Sequence, residues 1–143
     1  VKMRQVKYLV TAAMLLFGAK SVAAAPSADI KRAVENFAKA GDQQDAQRVG
    51  QLTTPDFRVV FRVDGAAKTT VLSRETYMKM LTDRKLGGQP RALKIRSVTV
   101  DGGLAHVRTH MNRQDAKFDG VMTLVQTDAG WRIIQDAVLL TKK

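Results

Sequence analysis

The sequence lacks cysteine entirely and is poor in aromatic residues, which make up 6% of its 143 residues. Without cysteine there can be no disulfide bond, no thiolate metal ligand and no lipid attached through a thiol. The sequence also lacks an apolar run of the roughly 20 residues that a membrane-spanning helix needs. Its N-terminal run, Tyr8–Gly18, has 11 residues. The folded part must therefore be held together by packing alone.

The first 24 residues have the pattern of an export signal. A basic head precedes the short apolar run, and small residues lead to Pro26, which are the three parts of a secretory signal peptide. Cleavage is expected after Ala24, with Ala23 and Ala25 as alternatives, and Lys20 ends the apolar run too early for a membrane anchor. The sequence thus predicts a periplasmic or secreted protein without stable membrane insertion. Its mature chain, residues 25–143, would form a single domain.

Basic residues outnumber acidic residues by 24 to 13, which gives a formal net charge of +11. Loss of four basic residues with the signal would lower the charge to +7. A basic domain could favour an anionic partner, although a solvated basic surface accounts for the charge equally well. Nucleic acid is not expected as a partner, because no dense block of Lys and Arg is interleaved with aromatic residues.

Helical periodicity is found in the first half of the predicted domain. Ile30, Val34 and Phe37 fall on one stripe of a helix that is expected to run from an N-cap at Ser27 to about Ala40 and to end at Gly41. Two further helices follow. Asp42 is expected to cap a short helix that ends before Pro55. Ser73 is expected to cap a third helix, which covers Arg74–Lys85.

Alternating apolar and polar residues predict strands in the remainder of the domain. In the long strand beginning near Arg91 the apolar phase changes between Ile95 and Val98, which predicts a bulge near Ser97. Early helices followed by strands joined through short turns indicate an α+β fold with an antiparallel sheet. The predicted strands are Phe57–Val63, Lys68–Leu72, Arg91–Val100, Leu104–Asn112, Phe118–Thr127 and Trp131–Leu140.

The order of these motifs resembles the nuclear transport factor 2-like superfamily, which includes the SnoaL-like and ketosteroid isomerase-like proteins, and most of all its branch described as putative lumazine-binding. The resemblance covers about Ile30 to Leu140. It implies a cone-shaped, curved antiparallel sheet wrapped around about three helices, with a pocket at the open end and dimers formed through the outer sheet face. It rests on Gly41-Asp42, Thr54-Pro55-Asp56-Phe57, Ser73-Arg74-Glu75, Val100 to Val107 and Gly130-Trp131-Arg132-Ile133-Ile134.

Side chains expected to point into the cone form a largely apolar candidate ligand site, the usual character of a small-molecule pocket. A core filled by the same side chains is the alternative. The candidates are Phe37, Phe57, Val59, Phe61, Tyr77, Leu81, Thr109, Met111, Met122, Trp131, Ile133 and Gln135.

A second set of side chains is expected on the outer sheet face, where it would form a basic surface for dimerisation, for another partner or for solvent. Its histidines lie four residues apart on one strand, about 13 Å, too far to share a metal ion in a regular strand. No metal and no cofactor are therefore expected. The set comprises Arg58, Arg62, Arg96, His106, Arg108 and His110.

Catalysis is disfavoured because no acid–base pair is expected inside the pocket. Ketosteroid isomerase chemistry requires an aspartate base together with Tyr and protonated Asp donors, whereas in regular phase Asp136 would face outward. The first hypothesis is an exported, non-catalytic domain that binds a small apolar or aromatic molecule. The alternatives are a dimeric interaction module using the basic outer face, and a cofactor-free isomerase or dehydratase using Tyr77, Asp136 or His110.

Overall fold

A computed structural model describes residues 26–143, so the predicted signal peptide and its cleavage site lie outside the described residues. Within this range three helices precede or interrupt the strands of one six-stranded sheet. The helices are α1 (Pro26–Asp42), α2 (Ala46–Leu52) and α3 (Arg74–Thr82). The strands are β1 (Thr53–Val63), β2 (Thr70–Ser73), β3 (Ala92–Asp101), β4 (Leu104–Arg113), β5 (Ala116–Thr127) and β6 (Gly130–Lys142).

The helix boundaries follow local capping chemistry. Ser73 caps α3 as predicted, because its hydroxyl accepts a hydrogen bond from the backbone N–H of Thr76 at 3.2 Å. The cap of α2 is Asp45 rather than Asp42, since Asp45 Oδ1 accepts from the backbone N–H of Arg48 at 3.0 Å. The N-cap prediction for Ser27 is also wrong, because α1 already begins at Pro26, a residue suited to a first helical turn.

The strands are ordered β2-β1-β6-β5-β4-β3. The α+β prediction is confirmed, with one difference from a purely antiparallel sheet: β1 and β6 run parallel. The bulge predicted near Ser97 is present, because the register between β3 and β4 shifts between Ile95 and Ser97. This irregularity returns Val98 to the inward face, opposite Val107.

A second bulge, in β6, was not expected and decides the composition of the pocket. Two residues of β5, Thr123 and Leu124, pair with Gln135 and Ile133, which leaves Ile134 as an extra residue. The inward phase therefore changes after Ile133, so that Asp136 faces the helices while Gln135 faces away from them.

The helices pack on one face of the sheet around a continuous hydrophobic core. Phe37 of α1 and Phe57 of β1 lie at its centre, with ring centroids 5.5 Å apart in an edge-to-face arrangement. No helix among residues 26–143 is long and apolar enough to cross a membrane.

Candidate functional site

A cavity of about 290 Å³ lies between the sheet, α3 and the loop that leads from α3 to β3. This volume is near the lower end of the range of about 300–1,000 Å³ found for small-molecule pockets. Aliphatic and aromatic side chains make most of its wall. It is lined by Gly41, Val59, Phe61, Leu72, Tyr77, Lys85, Leu86, Gly87, Gln89, Arg91, Arg113, Phe118, Asp136, Val138 and Leu140.

Asp136 contributes a buried carboxyl group to the cavity wall. Its Oδ1 atom has no hydrogen-bond partner among the described residues. Burial raises the pKa of Asp136 to about 7, and the nearby Arg91 cation opposes this rise without reversing it. The expectation that Asp136 faces outward is therefore wrong, because the bulge at Ile134 turns this part of β6 over.

Tyr77 lies in the same wall, held by two phenylalanine rings. Its ring stacks on Phe37 at 6.2 Å and meets Phe57 edge to face at 5.9 Å, measured between centroids. Burial raises the pKa of Tyr77 to about 12, against the opposing effect of the Arg91 charge. The phenol therefore keeps its proton at neutral pH and can act as a hydrogen-bond donor.

Arg91 is fixed beside these groups by Asp42 at the end of α1. The carboxylate of Asp42 accepts hydrogen bonds from Arg91 Nε at 2.6 Å and from its backbone N–H at 3.0 Å. A third bond joins Arg91 Nη2 to the carbonyl oxygen of Ala38 at 3.4 Å. The Nη1 atom forms no hydrogen bond within residues 26–143, so the guanidinium group can donate a further hydrogen bond from this side to a ligand.

The remaining charged side chains that line the cavity are also cationic. Arg113 and Arg91 lie near the ring of Phe118, with guanidinium carbons 5.2 and 5.3 Å from its centroid. Lys85 lines the cavity as well and forms no ion pair within the described part of the chain. Asp136 is thus the one carboxyl group among the lining residues.

The predicted pocket residues are divided between this cavity and the core. Val59, Phe61 and Tyr77 line the cavity. Gln135 lies instead on the opposite face, where its Oε1 accepts from Arg58 Nε at 2.8 Å, so its placement in the pocket is corrected. The others are buried, and all except Thr109 belong to the packed apolar core: Phe37, Phe57, Leu81, Thr109, Met111, Met122, Trp131 and Ile133.

Sequence reasoning missed most of the polar wall. Lys85 was predicted as the last residue of a helix and Arg91 as the first residue of a strand, and neither was assigned to the pocket. Asp42, the partner of Arg91, was interpreted as a helix cap. One signal was available for Arg91. It directly follows Pro90 at the start of a predicted strand, and Gly87 and Gly88 precede it. Two adjacent glycines indicate a tight turn or a close approach of the backbone to another part of the chain. Gly87 has a φ of +74°, and an added Cβ would lie 2.1 Å from the carbonyl oxygen of Gly41.

The outer sheet face carries the predicted basic set in exposed or partly exposed positions: Arg58, Arg62, Arg96, His106, Arg108 and His110. The histidines have separate partners, since His110 Nδ1 lies 2.7 Å from Asp119 Oδ1 and His106 Nδ1 lies 3.4 Å from Thr123 Oγ1. Among residues 26–143 no three His, Asp or Glu side chains are grouped so that they could hold a metal ion.

Solved structures similar to this chain share its fold. A nuclear transport factor 2-like protein of unknown function from Silicibacter pomeroyi DSS-3 is 20% identical with a TM-score of 0.70, over 80% of this chain and 94% of that one. A nuclear transport factor 2-like protein of unknown function from Shewanella baltica OS155 is 14% identical with a TM-score of 0.69, over 80% of this chain and 92% of that one. A nuclear transport factor 2-like protein with a cystatin-like fold from Novosphingobium aromaticivorans is 23% identical with a TM-score of 0.62, over 80% of this chain and 81% of that one.

Sequence comparison assigns the family. No curated protein matches this chain. The model of the family described as "Putative lumazine-binding" matches residues 25–137, which is most of the chain. This match shows that the chain belongs to the putative lumazine-binding family, and its fold is that of the nuclear transport factor 2-like proteins above.

Proposed function

We propose that this protein binds a small molecule in the cavity beside Asp136. One observation carries the proposal: a buried carboxyl group in the cavity wall has an oxygen without a hydrogen-bond partner among residues 26–143. An unsatisfied buried polar group costs about 1–3 kcal/mol, so a ligand that supplies the missing hydrogen bond would recover part of this cost.

The dimensions and chemistry of the cavity favour a molecule with one or two rings. Its volume of about 290 Å³ is small, and Phe61, Leu72 and Val138 offer apolar walls to a flat body. Lumazine, the compound in the family's description, is bicyclic and carries hydrogen-bonding groups, so it is a suitable first probe.

Native mass spectrometry of the purified protein, followed by titration with lumazine, tests the proposal. A Val138→Phe substitution should fill the cavity and abolish binding, whereas Val125→Phe on the opposite sheet face should leave binding unchanged. Absence of both a co-purified molecule and binding of any one- or two-ring probe to the wild type would contradict the proposal.

A cofactor-free acid–base enzyme is the second candidate, because one observation favours it. Asp136 is buried in the cavity wall, and burial raises its pKa to about 7, so it can gain or lose a proton near neutral pH, as a general acid or base must. Tyr77 could stabilise a developing oxyanion beside it. If the protein catalyses isomerisation, Asp136→Asn should abolish proton–deuterium exchange at the carbon next to a bound ketone, whereas a binding domain would show none.

Homodimerisation through the outer sheet face is a further part of the proposal. The centre of this face exposes Val121 and Leu139, which are 39% and 41% exposed, and Arg62, Arg96 and Arg108 surround a shallow depression there. An apolar centre with a polar rim is the usual composition of a subunit interface.

Export from the cytoplasm completes the proposal. The basic head, the short apolar run and the small residues before Pro26 support it. The intact mass of the protein recovered from a periplasmic or culture fraction would test it, since cleavage after Ala24 gives a chain that begins at Ala25. A full-length chain recovered only from cytoplasm would contradict it.

A further inference from the structure

The ionisable groups that line the cavity point to the charge of the ligand. Three are cations, Lys85, Arg91 and Arg113, and the other two are the carboxyl group of Asp136 and the phenol of Tyr77. The partners that balance Arg91 and Arg113, Asp42 and Asp115, are not among the residues that line the cavity. Among the lining residues, positive charge therefore outnumbers negative charge.

Asp136 does not offset these cations as an ionised partner would. Arg91 directs its Nε atom and backbone N–H to Asp42 and forms no hydrogen bond with Asp136. A carboxylate buried without a hydrogen bond or ion pair is strongly disfavoured against its neutral form. The same conclusion follows from the upward shift of its pKa. A neutral carboxyl group presents an O–H donor.

We propose that the cavity takes a small organic anion, such as an aromatic carboxylate, whose charged oxygen is bound by protonated Asp136, the hydroxyl group of Tyr77 and the guanidinium group of Arg91. This inference rests on the proposed binding function and specifies its ligand class. Two neutral O–H donors and one cation would then converge on one oxyanion, and hydrogen bonds to charged acceptors are the strong ones. The apolar body of the ligand would lie against Phe61 and Leu72.

Binding of an anion in this way requires the proton on Asp136, so affinity and protonation are linked. The anion should bind about tenfold more weakly at pH 8 than at pH 6, since the carboxyl group titrates near the middle of this interval. At intermediate pH the complex should take up protons from the buffer. The charged and titratable groups that line the cavity with Asp136 are Tyr77 from α3, Lys85 and Arg91 from the following loop, and Arg113 from β4. Asp42 from α1 pairs with Arg91 and acts on Tyr77.

Isothermal titration calorimetry with three bicyclic probes of equal size tests this inference. Naphthoate is the anion, naphthamide its neutral counterpart and naphthylmethylammonium its cationic counterpart. We expect naphthoate to bind at least about tenfold more tightly than the other two. Measurements in two buffers with different enthalpies of protonation should show proton uptake with naphthoate. Asp136→Asn should abolish both the uptake and the pH dependence, while Asp128→Asn, in an exposed turn, should change neither.

The outcomes separate the ligand class from the binding function. Tighter binding of naphthamide or naphthylmethylammonium, or naphthoate binding without proton uptake by the wild type, would overturn the anion inference and leave a binding domain. Failure of all three probes to bind would count against the cavity as a binding site and so against both. The uptake measured on the wild type decides the question even if Asp136→Asn fails to fold.

Discussion

Arg91 and Asp42 form a bidentate contact that joins the end of α1 to the start of β3. Asp42 accepts from both the Nε atom and the backbone N–H of Arg91, and their side chains are only 15–17% exposed. The contact orients the guanidinium group in the cavity wall and links two segments 49 residues apart in sequence. Its removal should therefore affect both stability and the site.

Asp42→Asn should lower the free energy of unfolding by about 2 kcal/mol, because hydrogen bonds to charged groups contribute roughly 1.5–3 kcal/mol. Urea denaturation monitored through Trp131 would measure the change. Asp29→Asn is the matched control in the same helix, since the ion pair of Asp29 with Arg32 is largely exposed and should contribute less than about 1 kcal/mol. Equal losses in the two variants would refute a structural role for the Asp42–Arg91 contact.

Asp136 should make the wild-type protein less stable as the pH rises from about 4 to about 7. Its pKa is near 4 in the unfolded chain and about 7 in the folded protein, so the folded state retains a proton that the unfolded state releases in this interval. The loss should be on the order of 4 kcal/mol and should level off above pH 7.

The Asp136→Asn variant isolates this effect, because asparagine has nearly the same shape and does not titrate. The free energy of unfolding, measured at several pH values, should fall between pH 4 and pH 7 in the wild type by about 4 kcal/mol more than in the variant. Parallel curves for the two proteins would mean that Asp136 is ionised in the folded state, contrary to its environment in the cavity.

Gly41→Ala should reduce ligand affinity with little effect on stability. An added Cβ would lie 3.3 Å from Tyr77 Oη, which must move by a few tenths of an ångström, and 3.4 Å from Arg91 Nη2, at the limit of ordinary van der Waals contact. The gain in helix propensity, about 1 kcal/mol, should largely offset this crowding. We expect about fivefold weaker binding of naphthoate by calorimetry. In Gly103→Ala the nearest atom would be 3.8 Å away, so this control should bind normally.

Val121→Asp should dissociate the proposed dimer. This side chain lies on the outer face between Arg108 of β4 and Ala137 of β6. Moving a carboxylate from water into the apolar centre of an interface costs several kcal/mol, which a neighbouring arginine repays only with excellent geometry. Light scattering coupled to size-exclusion chromatography should give a dimer mass for the wild type and a monomer mass for the variant. Ala28→Asp, on the exposed side of α1, should remain dimeric. A monomeric wild type at high concentration would refute the interface.

Bulges show which parts of a strand could be predicted. The irregularity near Ser97 was predictable because apolar residues change phase within the strand, from Ile95 to Val98. The bulge at Ile134 was not, since two adjacent isoleucines fit either phase and nothing local indicates which of them is the extra residue. That one residue reversed the expected orientation of Gln135 and Asp136.

Local sequence patterns were sufficient to predict the elements, their order and the α+β class. Helix periodicity, strand alternation, the Ser73 cap and the turn residues are local signals, each contained within a few neighbouring positions. The sequence motifs also sufficed to predict the family. Val59, Phe61 and Tyr77 were predicted as cavity residues because their inward phase follows from these patterns.

The chemistry of the site, in contrast, depends on contacts between segments that are distant in the sequence. Asp42, Tyr77, Arg91 and Asp136 come from four separate segments, and no local pattern relates them to one another. Burial and distance set the protonation of Asp136, and because Arg91 pairs with Asp42, the Asp136 carboxyl group has no ion pair among residues 26–143. Such properties arise from the sum of contacts around each group, which exists only after the chain has folded.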